Sequence, residues 1–158
     1  MNLKGKIAVV TGGTGVLGSN VSQGLLEAGA TVIIVGSRQE TVDKALAKLQ
    51  PVADANGTSV TGFACNMLDH TAITDLTEKV KNQFKRVDVL VNAAGGNVAG
   101  ANIMDDMNVY ECDMDALKKV VDLNLWGTVY PCLSFGKIMA EQKSGSIINV
   151  SSMAAYDA

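Results

Sequence analysis

The sequence has a single histidine, His70, and only three cysteines, Cys65, Cys112 and Cys132, which lie far apart and form no C-x-x-C pair. An odd, scattered set of thiols makes neither a disulfide framework nor a zinc site, so no metal is expected and the thiols read as reduced, in a cytoplasmic protein. Basic clusters are missing too. The 13 Lys and Arg are spread along the chain against 16 Asp and Glu, for a net charge of −3, which removes the electrostatic footprint of a nucleic-acid or membrane-surface binder. No apolar run reaches membrane-spanning length, and Met1-Asn2-Leu3-Lys4-Gly5-Lys6 lacks the shape of a signal peptide. A small molecule is the partner these absences leave. What the chain has in quantity is apolar: 47% hydrophobic residues in 158 and a mean hydropathy of +0.20, enough for the core of one domain.

The apolar residues come in short runs separated by amphipathic stretches. Strands are expected over 7–10, 31–35, 59–65, 87–92 and 147–150, and helices over 19–28, 40–56, 72–84 and 115–142. Asp69 or Thr71 caps the third helix, Pro51 is expected to kink or end the second, and Pro131 to bend the fourth. Residues 97–113, with acids at Asp105, Asp106, Glu111 and Asp113 and little periodicity, read as a long loop. Near-continuous apolar strands alternating with helices imply an α/β domain, a parallel sheet covered on both faces.

One stretch organises the rest. After the first strand come Thr11, Gly12, Gly13, Thr14, Gly15, Val16, Leu17 and Gly18, and a helix follows at once. Gly13, Gly15 and Gly18 fit the spacing G-x-G-x-x-G, in which one glycine makes a tight turn, one lets backbone approach a pyrophosphate, and one allows close packing of helix on strand. The helix N-terminus offers unpaired N–H groups to an anion. A nucleotide phosphate is expected here.

Together with this loop, N-A-A-G at a strand end, D-L-N-L-W-G in a helix and I-I-N-V-S-S at the last strand occur in order over essentially the whole length. The chain thereby resembles the short-chain dehydrogenase/reductase family, and within it bacterial sugar-acid reductases. The resemblance implies a Rossmann-type doubly wound sheet and hydride transfer between a nicotinamide and a carbonyl or alcohol carbon of a small substrate. It gives Thr11, Gly12, Gly15 and Gly18 to the cofactor loop, as T-G-x-x-G-x-x-G, a shift from the common family spacing, which puts glycine where Val16 stands. It assigns Asn92, Ala93, Ala94 and Gly95 to the passage of the cofactor ribose. Asn124 matches the asparagine of a proton relay. Ser152 matches the serine that hydrogen-bonds the substrate oxygen, with Ser151 the alternative if the register slips by one.

The family's acid–base tyrosine, with a lysine four residues on, has no counterpart here. Tyr156 is too near Ser152 and no lysine follows it. The expectation is therefore an N-terminal portion of a longer domain, with its sheet incomplete at the C-terminus, inactive alone and prone to self-association through the uncovered edge, so that a homo-oligomer is expected. After the second strand the chain reads Gly36-Ser37-Arg38, with no acid to accept the ribose hydroxyls of NAD; Ser37 and Arg38 favour NADP, with NAD possible. Asn66 stands where the family often has an aspartate beside the adenine amine, and Met67 is placed to pack on the ring. Two other readings stand beside this one: a non-catalytic nucleotide-binding or sensing protein, and a methyltransferase on a related sheet, the latter disfavoured by N-A-A-G and V-S-S.

Overall fold

A computed structural model describes residues 2–102 and 108–152. Five strands, β1 (Ile7–Thr11), β2 (Thr31–Gly36), β3 (Val60–Ala64), β4 (Val89–Asn92) and β5 (Ser146–Asn149), form one sheet in the order β3-β2-β1-β4-β5, and every neighbouring pair is parallel. Between them run α1 (Val16–Glu27), α2 (Gln39–Ala55), α3 (His70–Phe84) and α4 (Met114–Glu141). A Rossmann-type doubly wound sheet is what this order describes.

Side chains alternate across the strands and so feed two cores. Val9, Ile33 and Leu90 point to one face and pack with Ile73, Leu76 and Val80 of α3 and Phe135 and Ile138 of α4. Ala8, Val10, Val32, Ile34 and Val91 point to the other, against Leu26 of α1 and Ala45, Leu49 and Ala53 of α2. Because both faces of the inner strands are covered, those strands are apolar throughout, and this made them readable as runs. β5 differs. It is an edge of the described sheet, and all four of its residues are exposed.

Local chemistry sets the element ends. Asp69 caps α3, its carboxylate accepting from the Ala72 N–H at 3.0 Å, so the cap is Asp69 and not Thr71. Asp113 caps α4 in the same way, through the N–H groups of Asp115 and Ala116. Pro51 does not end α2, which continues to Ala55 with an exposed proline, and α4 runs on through the buried Pro131. The long loop after β4 is irregular as far as 102 and makes a 3-10 turn at Val109–Glu111; Asp105 and Asp106 lie outside the described residues. α1 starts at Val16, three residues before the expected 19, because Gly15 serves as its N-cap.

The chain reverses winding direction between β1 and β4: α1 leads outward to β2 and β3, and α4 leads to β5 on the other side. Such a switch point leaves a crevice beyond the carboxyl ends of the strands. Among the described residues no helix is long and apolar enough to cross a membrane.

Candidate nucleotide and active site

The crevice is a cleft of about 880 Å³ lined by the glycine loop, by Asn92 at the end of β4 and residues 93–97 after it, by one face of α4 and by Val150, Ser151 and Ser152 after β5. A smaller space of about 250 Å³ adjoins it, between Thr14, Gly36, Ser37, Asn66 and Met67.

The loop's geometry shows what each glycine does. Gly12 has φ +65°, and a Cβ there would lie 2.5 Å from the Ala93 carbonyl oxygen; only glycine makes this turn against the end of β4. The tight turn thus falls on Gly12 and not on Gly13, as G-x-G-x-x-G had implied. Gly13 packs on β2 instead, where a Cβ would sit 2.8 Å from that of Ile34 and its N–H donates to Val35. Gly18 is pressed against the loop, with a Cβ position only 2.3 Å from the Gly12 oxygen. Gly15, in contrast, is exposed and extended, and its missing side chain keeps the mouth of the loop open. The spacing used by the structure is T-G-x-x-G-x-x-G.

No side chain caps α1. Its first amides, at Val16, Leu17 and Gly18, border the cleft, so a helix N-terminus with its partial positive charge faces open space. Val16 is 85% exposed, a poor place for an apolar residue unless something lies against it.

Beneath the cleft runs a buried polar chain. Asn92 is 2% exposed and Thr11 fully buried. The Thr11 hydroxyl accepts from the Ala94 N–H at 3.3 Å and donates to Asn92 Oδ1 at 3.4 Å. Asn92 Nδ2 donates to Asn149 Oδ1 at 2.9 Å and to Cys132 Sγ at 3.1 Å. β1, β4, β5 and α4 are tied together where Ala93 and Ala94 leave the sheet. Sequence reading passed over Asn149 and Cys132; Asn149 was within a quoted motif, but only its pairing to a residue 57 positions away gives it a task.

Asn124 turns its amide to the same place. Nδ2 donates to the Gly96 carbonyl at 2.9 Å and to the Val120 carbonyl at 2.8 Å, while Oδ1 accepts from the Gly96 N–H at 3.1 Å. This is more than a helical asparagine bonded to its own backbone: it clamps the strand-end turn onto α4. Gly95 permits the clamp, since a Cβ there would lie 2.6 Å from Asn124 Oδ1.

The remaining expected residues divide. Ser37 lines the smaller space. Arg38 is the N-cap of α2, accepting through its carbonyl from Thr41 and Val42; its guanidinium is exposed, has no partner among the described residues and borders neither space. Asn66 is exposed, and its Oδ1 accepts from the Leu68 N–H at 3.1 Å. Met67 is largely buried in the core while still lining the smaller space. Cys65 lies beside them, and burial, aided by the charge of Asp69 and opposed by Lys79, pushes its thiol pKa up; it is a protonated thiol rather than a nucleophile. Tyr156 lies outside the described residues.

The family model for short chain dehydrogenases matches residues 6–158. The chain belongs to the short-chain dehydrogenase/reductase family. Among its curated relatives, the 3alpha-hydroxysteroid dehydrogenase of Mediterraneibacter gnavus is 39% identical over 154 residues, covering 97% of this chain and 58% of that protein. An NAD+-bound xylitol dehydrogenase superposes with a TM-score of 0.87 at 25% identity, covering 99% of this chain and 56% of the other. A metagenomic short-chain oxidoreductase in complex with NADP superposes with a TM-score of 0.77 at 27% identity, covering 96% and 64%. The chain thus spans a little over half the length of these relatives. Its solved neighbours include one with NAD+ bound and one in complex with NADP.

Proposed function

We propose that the chain binds NADP(H) in preference to NAD(H) and serves hydride transfer to or from a carbonyl or alcohol carbon of a small substrate, sugar acids being the class its motifs suggested. The observation that carries this reading is the uncapped start of α1, which meets the Gly12–Gly18 loop and the 92–96 turn in one cleft. The fit to a dinucleotide is physical: a glycine cradle that a Cβ would fill, and unpaired amides for a pyrophosphate.

When bound, the nicotinamide supplies or accepts the hydride. The chain's own residues hold and orient. Ser152 lines the cleft after β5 and is the residue that would hydrogen-bond a substrate oxygen, and Asn124 keeps the Gly95–Gly96 turn in register with α4. Among the described residues that line the larger cleft there is no Asp, Glu, His, Cys, Lys or Tyr side chain, and a general acid is a separate requirement from the serine that would orient the oxygen.

Arg38 follows β2 where an acid would select NAD, and it is free to meet a ribose phosphate. A charge-assisted contact contributes about 1.5–3 kcal/mol, so Arg38→Ala is expected to weaken NADPH binding by roughly one to two decades and leave NADH binding nearly unchanged. Equal losses for both would remove Arg38 from cofactor choice. For the reaction, NADPH oxidation with a panel of small ketones and keto sugar acids is measured on residues 1–158 and on the longest polypeptide the coding sequence specifies. Turnover that falls about a hundredfold in Ser152→Ala supports the reading. Nucleotide binding without turnover on any ketone favours a sensing role.

A further inference from the structure

Beyond the two spaces already described, a groove of about 490 Å³ lies between α1 and α2 and opens from the glycine loop. It is lined by Thr14 of the loop, Ser19 and Asn20 of α1, and Thr41, Lys44 and Lys48 of α2. No carboxylate lines it. Thr14 borders both this groove and the smaller space beside Ser37, so the two meet at one side chain. Gly36 makes that meeting possible: a Cβ there would fall 2.5 Å from Thr14 Cγ2.

The charges in the groove are available. Lys44 and Lys48 stand one turn apart on α2, on the same face. Lys48 has no hydrogen-bond or ion-pair partner among the described residues. Lys44 is paired with Glu40, but both side chains are at least 70% exposed, and an exposed pair of this kind is readily exchanged for a better anion. Asp43 and Glu27, on the same two helices, do not line the groove, and each accepts a hydrogen bond from a glutamine, Gln39 and Gln23 respectively. The Thr41 hydroxyl already donates to the Arg38 carbonyl, which fixes the first turn of α2 and leaves recognition to the lysines.

We infer that the α1–α2 groove is a phosphate subsite in which Lys44 and Lys48 read a phosphate carried on the adenosine ribose. A ribose held in the smaller space, which Gly36 and Ser37 line, would have the mouth of the groove beside it at Thr14. This rests on the nucleotide reading above and deepens it, moving cofactor choice from Arg38 alone to the facing wall of α2.

The test is calorimetric titration of the chain with 2′,5′-ADP and with 5′-AMP, comparing the parent, the double variant Lys44→Gln/Lys48→Gln and Arg38→Ala. Both lysines are exposed, so the circular dichroism of the double variant stays that of the parent. The expected result is a Kd for 2′,5′-ADP raised about tenfold in the double variant, from two solvent-exposed ion contacts, with 5′-AMP changed less than about twofold. An unchanged Kd, an equal loss for both ligands, or a loss confined to Arg38→Ala overturns the subsite. A parent chain that binds 5′-AMP no worse than 2′,5′-ADP also overturns it but leaves the nucleotide cleft standing. A parent that binds neither ligand overturns the nucleotide reading itself.

Discussion

Gly18→Ala is expected to lower both stability and nucleotide affinity, whereas Gly15→Val, three residues earlier, is expected to lower affinity strongly and stability by much less. The two glycines differ in what surrounds them. At Gly18 the added methyl would meet only backbone: the Gly12 oxygen at 2.3 Å, the Gly12 carbon at 2.8 Å and the Gly13 Cα at 2.9 Å. Backbone held between β1 and the end of β4 has no rotamer to escape into, so the loop must move off α1. Overpacking of this kind destabilises by about 1–3 kcal/mol, about 3–10 °C in thermal midpoint for a domain of this size. At Gly15 the backbone is extended, with φ −80° and ψ 170°, a conformation valine adopts readily, and the one close neighbour of a Cβ is the Gly12 oxygen at 3.3 Å, a tight contact that costs some stability but far less than the 2.3 Å overlap at Gly18. The valine side chain then stands in the mouth of the loop, where a pyrophosphate would approach. Its Kd for NADPH should rise by about two decades or more, roughly the loss of two charge-assisted bonds to backbone amides. Thermal melts and fluorescence titrations of both variants check the pair of outcomes. A Gly15→Val chain that binds NADPH as the parent does would place the phosphate elsewhere.

The second large effect lies at the opposite end of the sheet. Asp88, just before β4, is buried to 5% side-chain exposure and meets Lys6 at 3.1 Å, the Ile7 N–H at 3.0 Å, and Arg86 through both carboxylate oxygens. Burial works against its ionisation, but the hydrogen bonds from Arg86, the Ile7 amide and Lys6 together outweigh it and hold the carboxyl pKa below its ordinary value. A pKa depressed in the folded state contributes stability that is present above the unfolded value, about 3.9, and is lost as pH falls through the folded one. The melting temperature of the parent should therefore decline below about pH 4. Asp88→Asn should lower it by about 4–8 °C at pH 7, corresponding to about 2 kcal/mol for the lost charged hydrogen bonds, with the gap narrowing toward pH 3. Arg86 and Lys6 are half exposed and return to solvent, which keeps the loss below that of a fully buried broken pair. Nucleotide affinity should not change, because Asp88 lies at the far end of β4 from the cleft. A gap between parent and variant that is as wide at pH 3 as at pH 7 would mean that the carboxylate's charge is not what stabilises this end.

Much of this architecture was legible because it is local. The inner strands are apolar on both faces, and the α3 cap is a carboxylate three residues before the amide it accepts from. The start of α1 was placed three residues late because its N-cap, Gly15, offers no capping side chain; the amides left unsatisfied there are the feature a phosphate would use. The 87–92 strand was expected two residues too early, since Val87 donates its N–H to the side chain of Gln142, 55 positions away. Gly13 was given the turn because spacing alone does not separate a glycine with positive φ from one pressed on a neighbouring strand. The polar chain from Thr11 through Asn92 to Asn149 and Cys132 is assembled by the parallel register of β1, β4 and β5, and no short motif encodes it. Arg38 shows the reverse limit: its position after β2 was evident, but that its carbonyl accepts the first amides of α2 while its guanidinium borders neither space was not.

The central claim is that the glycine loop and the 92–96 turn hold a nicotinamide dinucleotide. It is tested most directly by titrating the isotopically labelled chain with NADPH and following backbone amide resonances. Saturable shifts concentrated at residues 12–18, 36–38 and 92–96, strongest at the uncapped amides of Val16 and Leu17, are the predicted result. No saturable shift at millimolar NADPH, or shifts gathered away from the carboxyl ends of β1, β2 and β4, would contradict it.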